Sequence, residues 1–211
     1  MSGITPASVD RYLLGLAPRR DKILLEMEVR ARREKIPIVG PLVGTVLFQL
    51  ASLVRARRVF ECGSAIGCST IWLARAVGPL GRVFYTESDL GRIASAEGYL
   101  RRAGVLSRVR MLKGEALRSL KGTPGSFDVV FNDVDKDGYP GVWKEASRRI
   151  RPGGVFLSDN TLWGGRVADP RVKDSWTVAI RRMNRAVASD RRYVASLLPL
   201  RDGLTVAWRR P

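Results

Sequence analysis

From Arg57 onward the sequence alternates short apolar segments with helical ones, and this alternation limits the possible folds more than any other feature. Strands that alternate with helices along a chain typically form a parallel sheet covered on both faces. The apolar segments predict strands at residues 59–62, 83–86, 109–112, 127–132 and 155–158. Helical periodicity predicts helices between them at residues 69–77, 90–103 and 139–150.

The C-terminal segment predicts an antiparallel hairpin. Its strands are residues 193–198 and 204–208, and Asp202 with Gly203 would close the turn between them. All these elements together predict an α/β fold with a Rossmann-like, doubly wound sheet of seven strands. The sheet is mostly parallel, with one antiparallel strand from the C-terminal hairpin and helices on both faces. In such sheets ligands bind beyond the carboxyl ends of the strands.

The N-terminal residues predict three helices, at residues 7–16, 19–35 and 42–54. A length of 211 residues with no linker-like segment predicts one domain, residues 1–211, in which N-terminal helices within residues 1–55 pack on an α/β core of residues 56–211. No apolar run approaches the roughly 18 residues of a membrane span. The first residues also lack the pattern of a signal peptide. We therefore expect a cytoplasmic protein with no membrane partner.

The chain is strongly basic, with 37 Lys and Arg residues against 20 Asp and Glu and a formal net charge of +17. Residues 1–60 carry 11 basic and 5 acidic groups, and residues 171–211 carry 10 and 3. Residues 61–170 are more nearly balanced, with 16 and 12. This distribution suits either a solvated basic surface or a surface that binds a polyanion such as RNA.

A glycine-rich turn, ECGSAIGCST, follows the first predicted strand. Gly63 and Gly67 allow a tight turn and close approach of a ligand, and Ser69 or Thr70 can begin the next helix. Glu87 ends the second strand 20 residues after Gly67, where doubly wound folds place an acid that binds ribose hydroxyls. The two features together favour a nucleoside ligand, although glycines also serve ordinary turns between strands and helices.

Oxygen-bearing side chains follow the fourth and fifth predicted strands, in the segments NDVDK and LSDN. Asp133, Asp159 and Asn160 can converge there, and three oxygen donors suit a hard divalent cation. The alternative is that each residue only caps a helix or turn. Neighbouring carboxylates repel one another unless a cation or Lys136 offsets their charge.

The motifs in combination resemble the metal-dependent class I S-adenosylmethionine O-methyltransferases of the caffeoyl-CoA and catechol O-methyltransferase type. The resemblance extends from about residue 38 to residue 208 through VGPLVGTVL, VFECGSAIGCST, YTESD, KGEAL, FDVVFNDVDKDGYP, RPGGVFLSDNTLWGGRV and LPLRDGLTVA. It implies S-adenosylmethionine and a divalent cation as cofactors. Magnesium is the expected ion, with calcium or manganese as alternatives.

The resemblance also implies roles for individual residues. The methionine end of the cofactor would be held by Val39, Glu61, Gly63, Ser64 and Ser69. Glu87 would bind the ribose, Ala116 would lie beside the adenine, and Asp135 would contact the cofactor. Asp133, Asp159 and Asn160 match the metal ligands, and Lys136 with Asp133 matches the catalytic pair. Lys136 would accept the proton of the attacking hydroxyl.

Three functions remain open from the sequence. The first is methylation of a hydroxyl on a small catechol-like or phenolic acceptor. Trp163 and Arg166 could form a wall around an aromatic acceptor or contact an anionic one, and Trp163 could equally be a packing residue. The second is methylation of a hydroxylated base in tRNA, with the basic ends of the chain contacting phosphates. The third is a binding module that has lost catalysis, against which Asp133 and Lys136 argue. The resemblance further implies a homodimer.

Overall fold

The computed structural model describes residues 4–211, which form seven strands and eight α-helices. The strands are β1 (Arg58–Cys62), β2 (Arg82–Glu87), β3 (Val109–Lys113), β4 (Phe127–Asn132), β5 (Ile150–Ser158), β6 (Tyr193–Leu198) and β7 (Leu204–Arg209). The helices are α1 (Ala7–Leu16), α2 (Lys22–Glu34), α3 (Pro41–Leu53), α4 (Cys68–Ala76), α5 (Leu90–Arg102), α6 (Ala116–Gly122), α7 (Tyr139–Arg149) and α8 (Ser175–Ser189). Every predicted strand is present.

The strands form one sheet in the order β3-β2-β1-β4-β5-β7-β6. Strand β7 runs antiparallel to both of its neighbours, and the other pairs are parallel. The predicted Rossmann-like sheet of seven strands with one antiparallel strand is confirmed. The chain direction across the sheet reverses between β1 and β4, which is where doubly wound sheets bind ligands.

Helices cover both faces of the sheet, because successive residues of a strand point to opposite sides. In β1, Val59 packs in the layer that contains α2, α3, α4 and α5, whereas Phe60 packs in the layer that contains α6, α7 and α8. Burial of one such side chain contributes about 1.5–3 kcal/mol. Phe60 also contacts the rings of Phe84 and Phe127, at centroid distances of 6.1 and 5.2 Å. The two apolar layers therefore hold the sheet rigid from both sides.

Two helices, α6 and α8, were not predicted. Helix α8 begins after Asp174, whose carboxylate accepts hydrogen bonds from the Thr177 N–H at 3.0 Å and the Thr177 hydroxyl at 2.7 Å. Its buried face contains Ile180, Met183 and Val187. This cap and the spacing of these apolar residues are a recognisable helix signal. The interspersed arginines obscure it.

The N-terminal helices differ in how they contact the core. Leu24 and Met27 of α2 are fully buried with side chains of the sheet, and so are Val43 and Leu47 of α3. Helix α1 buries no side chain. The single domain of residues 1–211 stays a prediction, and its first three residues lie outside the described part of the chain. Within residues 4–211 no helix has the length and apolarity needed to cross a lipid bilayer.

The C-terminal hairpin has a longer loop than the turn predicted at Asp202 and Gly203. Leu198 pairs with Leu204, so the loop comprises residues 199–203. Asp202 is buried and bonds to another segment: its carboxylate accepts the Gly164 N–H, and its carbonyl accepts the Leu162 N–H at 2.9 Å. These contacts with the chain after β5, rather than a tight local turn, determine the conformation of the loop.

Candidate active site

The carboxyl ends of β4 and β5 bring two aspartates together. The Asp133 N–H donates to the Cys62 carbonyl at 2.8 Å, and the Asp159 N–H donates to the Asn132 carbonyl at 3.1 Å. These bonds extend the parallel ladder, so the two aspartates lie side by side. Desolvation raises the pKa of both carboxyls. At Asp133, Lys136 opposes this rise and the charge of Asp159 adds to it.

Lys136 lies beside these carboxylates and is only 7% exposed. Its Nζ donates to Asn160 Oδ1 at 2.8 Å and lies 3.4 Å from Asp133 Oδ1. Aromatic rings confine the side chain, since Nζ lies 4.9 Å from the ring centroid of Tyr139 and 5.7 Å from that of Trp163. The amine is therefore held next to the oxygen atoms with little freedom to reorient.

Asn160 is placed by an unusual backbone conformation, a left-handed φ of 55°. Asn adopts this conformation more readily than most residues. Its N–H donates to Asp159 Oδ1 at 2.9 Å, and the Tyr139 hydroxyl donates to the Asp159 carbonyl at 2.7 Å. The resulting turn brings the amide oxygen of Asn160 to the amine of Lys136. The predicted oxygen donors and the predicted lysine thus share one end of the site.

The donor set suits a hard divalent cation in its chemistry, because carboxylate and amide oxygens are the ligands that magnesium and calcium prefer. Asp159 is 3% exposed, and within residues 4–211 it forms no ion pair with a lysine or arginine, whereas Asp133 pairs with Lys136. The same residues contain no group of three His, Cys, Asp or Glu side chains that could hold a metal. Asn160 would therefore supply the third oxygen ligand of such a set.

Glu61, at the end of β1, is fully buried. Its Oε2 accepts hydrogen bonds from Ser64 Oγ at 2.8 Å and Thr70 Oγ1 at 2.5 Å. Burial raises the pKa of this carboxyl, and hydrogen bonds from Ser69, Thr70 and Ser64 oppose the rise. Oε1 has no hydrogen-bond partner within the described residues. An unsatisfied buried acceptor of this kind suits a donor group of a ligand or a water molecule.

Glu87, at the end of β2, is held by the backbone of the following turn. Its Oε1 accepts the N–H groups of Ser88 at 2.7 Å and Asp89 at 3.0 Å. Its Oε2 lies 3.7 Å from Arg92 Nη1. The carboxylate therefore has one fixed orientation at the carboxyl end of the sheet.

A cavity of about 1220 Å³ joins these elements. Eight predicted site residues line it, namely Gly63, Glu87, Ala116, Asp133, Asp135, Lys136, Asp159 and Asn160. The other four are buried and do not line the cavity, namely Val39, Glu61, Ser64 and Ser69. Pockets for one small ligand usually measure roughly 300–1,000 Å³. The cavity consequently has room for two small reactants.

Comparison with known proteins identifies the family. Residues 21–210 match the model of a family described as O-methyltransferase. The chain belongs to the O-methyltransferase family. A related protein, the catechol O-methyltransferase of Niastella koreensis, is 32% identical over 211 residues, which cover 95% of this chain and 96% of that protein.

Solved structures of other O-methyltransferases have the same fold. The O-methyltransferase TomG from Streptomyces achromogenes, involved in tomaymycin synthesis and solved in complex with SAM, has a TM-score of 0.87 and 33% identity, covering 97% of this chain and 96% of that one. The O-methyltransferase from Bacillus cereus in complex with SAH has a TM-score of 0.87 and 31% identity, covering 96% and 97%. The predicted enzyme class, an S-adenosylmethionine-dependent O-methyltransferase, is confirmed.

Thr70 also belongs to the site of this O-methyltransferase, although its sequence position did not predict this. Thr70 lies in the first turn of α4, and its hydroxyl bonds to Glu61. The sequence predicts Thr70 at the start of a helix, where the simplest role of its hydroxyl is to cap that helix. Only the course of the chain after Gly67, which has φ of 87°, directs this hydroxyl back to the end of β1.

Two further residues that line the cavity of the O-methyltransferase were also not predicted. Trp176 lines the cavity and contacts Trp163 edge to face, at a centroid distance of 5.8 Å. Arg201 lines the cavity from the hairpin loop. By contrast Arg166, which the sequence suggested as an acceptor contact, pairs with Asp174 at 2.8 Å and does not line the cavity. The order of residues after β5 could not show which arginine lines the cavity.

Proposed function

We propose that this O-methyltransferase transfers the methyl group of S-adenosylmethionine to a hydroxyl of a small catechol-like or phenolic acceptor, and that it requires a divalent cation, magnesium in the first instance. One observation carries the proposal. Lys136 Nζ lies 2.8 Å from Asn160 Oδ1 and 3.4 Å from Asp133 Oδ1 in the wall of a cavity that also contains Asp159 and Trp163. A proton acceptor, oxygen ligands and an aromatic wall therefore meet in one place.

The cofactor side is assigned to the residues around β1 and β2. Glu61 has an unsatisfied buried oxygen that suits the ammonium of the methionine end, and Ser64 and Ser69 hold its carboxylate. Gly63 and Val39 would lie against the same end of the cofactor. Glu87, Ala116 and Asp135 would contact the ribose and adenine, and all three line the cavity. The relatives solved with SAM and SAH support this assignment.

Asp133, Asp159 and Asn160 would hold the divalent cation. A cation bound there would lower the pKa of an acceptor hydroxyl and orient it. The neutral amine of Lys136 would take the proton, because it adjoins two of these three residues. Tyr139 holds the turn in place through its bond to the Asp159 carbonyl. Three residues would thus be metal ligands, Lys136 the proton acceptor, and Tyr139 a residue that positions the turn.

A small aromatic acceptor is supported by the rings of Trp163 and Trp176, which form an apolar wall beside Lys136. The related catechol O-methyltransferase of Niastella koreensis supports the same class. Two adjacent hydroxyls of a catechol chelate a cation, which favours this acceptor over a single alcohol. No feature of the site specifically favours tRNA.

The test is incubation with labelled S-adenosylmethionine, magnesium and either a panel of catechols or bulk undermodified tRNA. Labelled catechol is expected, and a chelator should abolish labelling until magnesium is added back. Labelling that is unaffected by chelation would refute metal dependence. Labelling of tRNA alone, with affinity that falls steeply as salt rises, would replace the small acceptor with RNA.

A further inference from the structure

Arg201 lines the cavity from the loop between β6 and β7. Its backbone has a left-handed φ of 50°, which costs a non-glycine residue roughly 1–2 kcal/mol. The guanidinium lies over Gly40 at the start of α3, where an added β-carbon would be 3.2 Å from Nη1. The glycine therefore leaves the space that this side chain occupies.

The loop that carries Arg201 is anchored to the segment that follows Asp159 and Asn160. The Thr161 N–H donates to the Gly203 carbonyl at 3.0 Å, and the Leu162 N–H donates to the Asp202 carbonyl at 2.9 Å. These bonds join the two residues after Arg201 to the two residues after Asn160. The position of Arg201 relative to the proposed metal ligands is therefore rigid.

The guanidinium of Arg201 has no carboxylate within 4.0 Å and donates no side-chain hydrogen bond to another residue within residues 4–211, unlike Arg20 and Arg92 of the same cavity. Arg20 pairs with Glu28 at 3.1 Å, and Arg92 lies 3.7 Å from Glu87. A half-buried guanidinium with uncommitted donors suits an anionic ligand, and its planar fork matches a carboxylate in a bidentate arrangement.

Arg201 lines the same cavity as Asp133 and Asp159. Because these acids and Asp202 already supply negative charge, a monoanionic carboxylate suits this position better than a phosphate dianion.

We propose that Arg201 determines acceptor specificity by binding the carboxylate of an acidic catechol or phenol, such as a dihydroxybenzoate. This inference rests on the proposed methylation of a small aromatic acceptor and names its substrate class. The methyl donor, S-adenosylmethionine, also has a carboxylate, at its methionine end. The backbone bonds that join the Arg201 loop to the segment after Asn160 favour the acceptor, and the experiment separates the two sources.

The experiment compares 3,4-dihydroxybenzoate with the neutral 3,4-dihydroxybenzamide. Binding of each is measured by calorimetry on the full chain with SAH and magnesium present, and kcat/KM is measured with S-adenosylmethionine. The variants are Arg201→Gln, which removes the charge, and Arg201→Lys, which keeps it without the planar fork. Arg191→Gln is the matched control, because it removes one exposed positive charge at the opposite end of β6. Melting temperatures and SAH affinity are measured for every variant.

We expect the acid to bind about tenfold or more tightly than the amide, in line with a charge-assisted pair. Arg201→Gln should reduce this preference to within about twofold by weakening binding of the acid alone. Arg201→Lys should give an intermediate preference, and Arg191→Gln should match the wild type. SAH affinity should change less than about threefold throughout.

Three results would overturn the inference. They are equal binding of acid and amide by the wild type, equal losses for both ligands in Arg201→Gln, and a selective loss of SAH affinity, which would assign Arg201 to the donor. Failure of the proposed function is distinguishable from these. If the acid binds in an Arg201-dependent way but neither compound is methylated, the carboxylate site stands and the proposed acceptor chemistry fails.

Discussion

Gly63 and Asp133 contact each other through their backbones, so closely that a β-carbon on Gly63 would lie 2.5 Å from the Asp133 carbonyl oxygen. Gly63 belongs to the loop after β1 and Asp133 to the loop after β4, and these strands are neighbours at the reversal of the sheet. The proposed cofactor loop and the proposed metal loop therefore touch directly. A displacement of one must move the other.

Gly63→Ala should weaken binding of both the cofactor and the divalent cation. The new methyl group would collide with the Asp133 carbonyl, and alanine is strained at the φ of 81° found here. We expect SAH affinity, measured by calorimetry, to fall at least about tenfold, with a loss of several degrees in melting temperature. Gly104→Ala is the matched control, since Gly104 has φ of 68° and nothing within 4 Å of an added β-carbon. Equal effects of the two substitutions would mean that strain alone matters.

Lys136→Met should separate catalysis from cofactor binding. Removal of a general base typically costs roughly 10²–10⁴ in rate, so kcat should fall at least about a hundredfold while SAH affinity stays within about threefold. Steady-state kinetics and calorimetry provide the two measurements. Lys144→Met, at an exposed lysine of α7, should leave both unchanged. Parallel losses of kcat and SAH affinity in Lys136→Met would assign the lysine to structure instead.

Asp159→Asn should stabilise the metal-free protein as pH rises. Burial raises the folded-state pKa of Asp159 above its ordinary value. The folded protein therefore loses stability as the pH rises and this carboxyl ionises, and an asparagine avoids that loss. The melting temperature of the variant should exceed that of the wild type increasingly as the pH rises above about 4. Asp137→Asn, at an exposed carboxylate nearby, is the control. A difference that does not change with pH would contradict the assignment.

The same Asp159→Asn variant should bind magnesium less tightly, by at least about tenfold, because a charged ligand becomes neutral. Calorimetric titration with magnesium in the presence of SAH checks this directly. Undiminished magnesium affinity would exclude Asp159 as a ligand, whatever its effect on stability.

Thr70→Val should destabilise the protein by about 1–3 kcal/mol, because it removes a hydrogen bond from the buried Glu61 carboxylate. Denaturant unfolding measures this difference. Thr45→Val is the control, since the Thr45 hydroxyl bonds only to the Pro41 carbonyl of its own helix at 2.8 Å. A loss no larger than that of the control would show that Ser64 and Ser69 suffice to hold Glu61.

Much of the fold followed from local patterns. Runs such as Val129 to Phe131 are apolar on both faces of a strand, and this is enough to predict a buried strand. The polar residues directly after such strands, Asp133 and Asp159, were predicted to converge because parallel strands end on one edge. Helix α8 was missed because its arginines hide a modest apolar face.

The sequence by itself determined the alternation of strands and helices and the family motifs, because these depend on spacing within short segments. It also indicated that Asp133, Lys136, Asp159 and Asn160 are neighbours, because they follow two parallel strands that end on one edge of the sheet. Only the tertiary structure decided that Arg201 and not Arg166 faces the cavity, since about 40 residues separate Arg201 from Asp159 along the chain. Their proximity arises from the pairing of β7 with β5 and from the bonds between the hairpin loop and residues 161–164. No local pattern encodes those contacts.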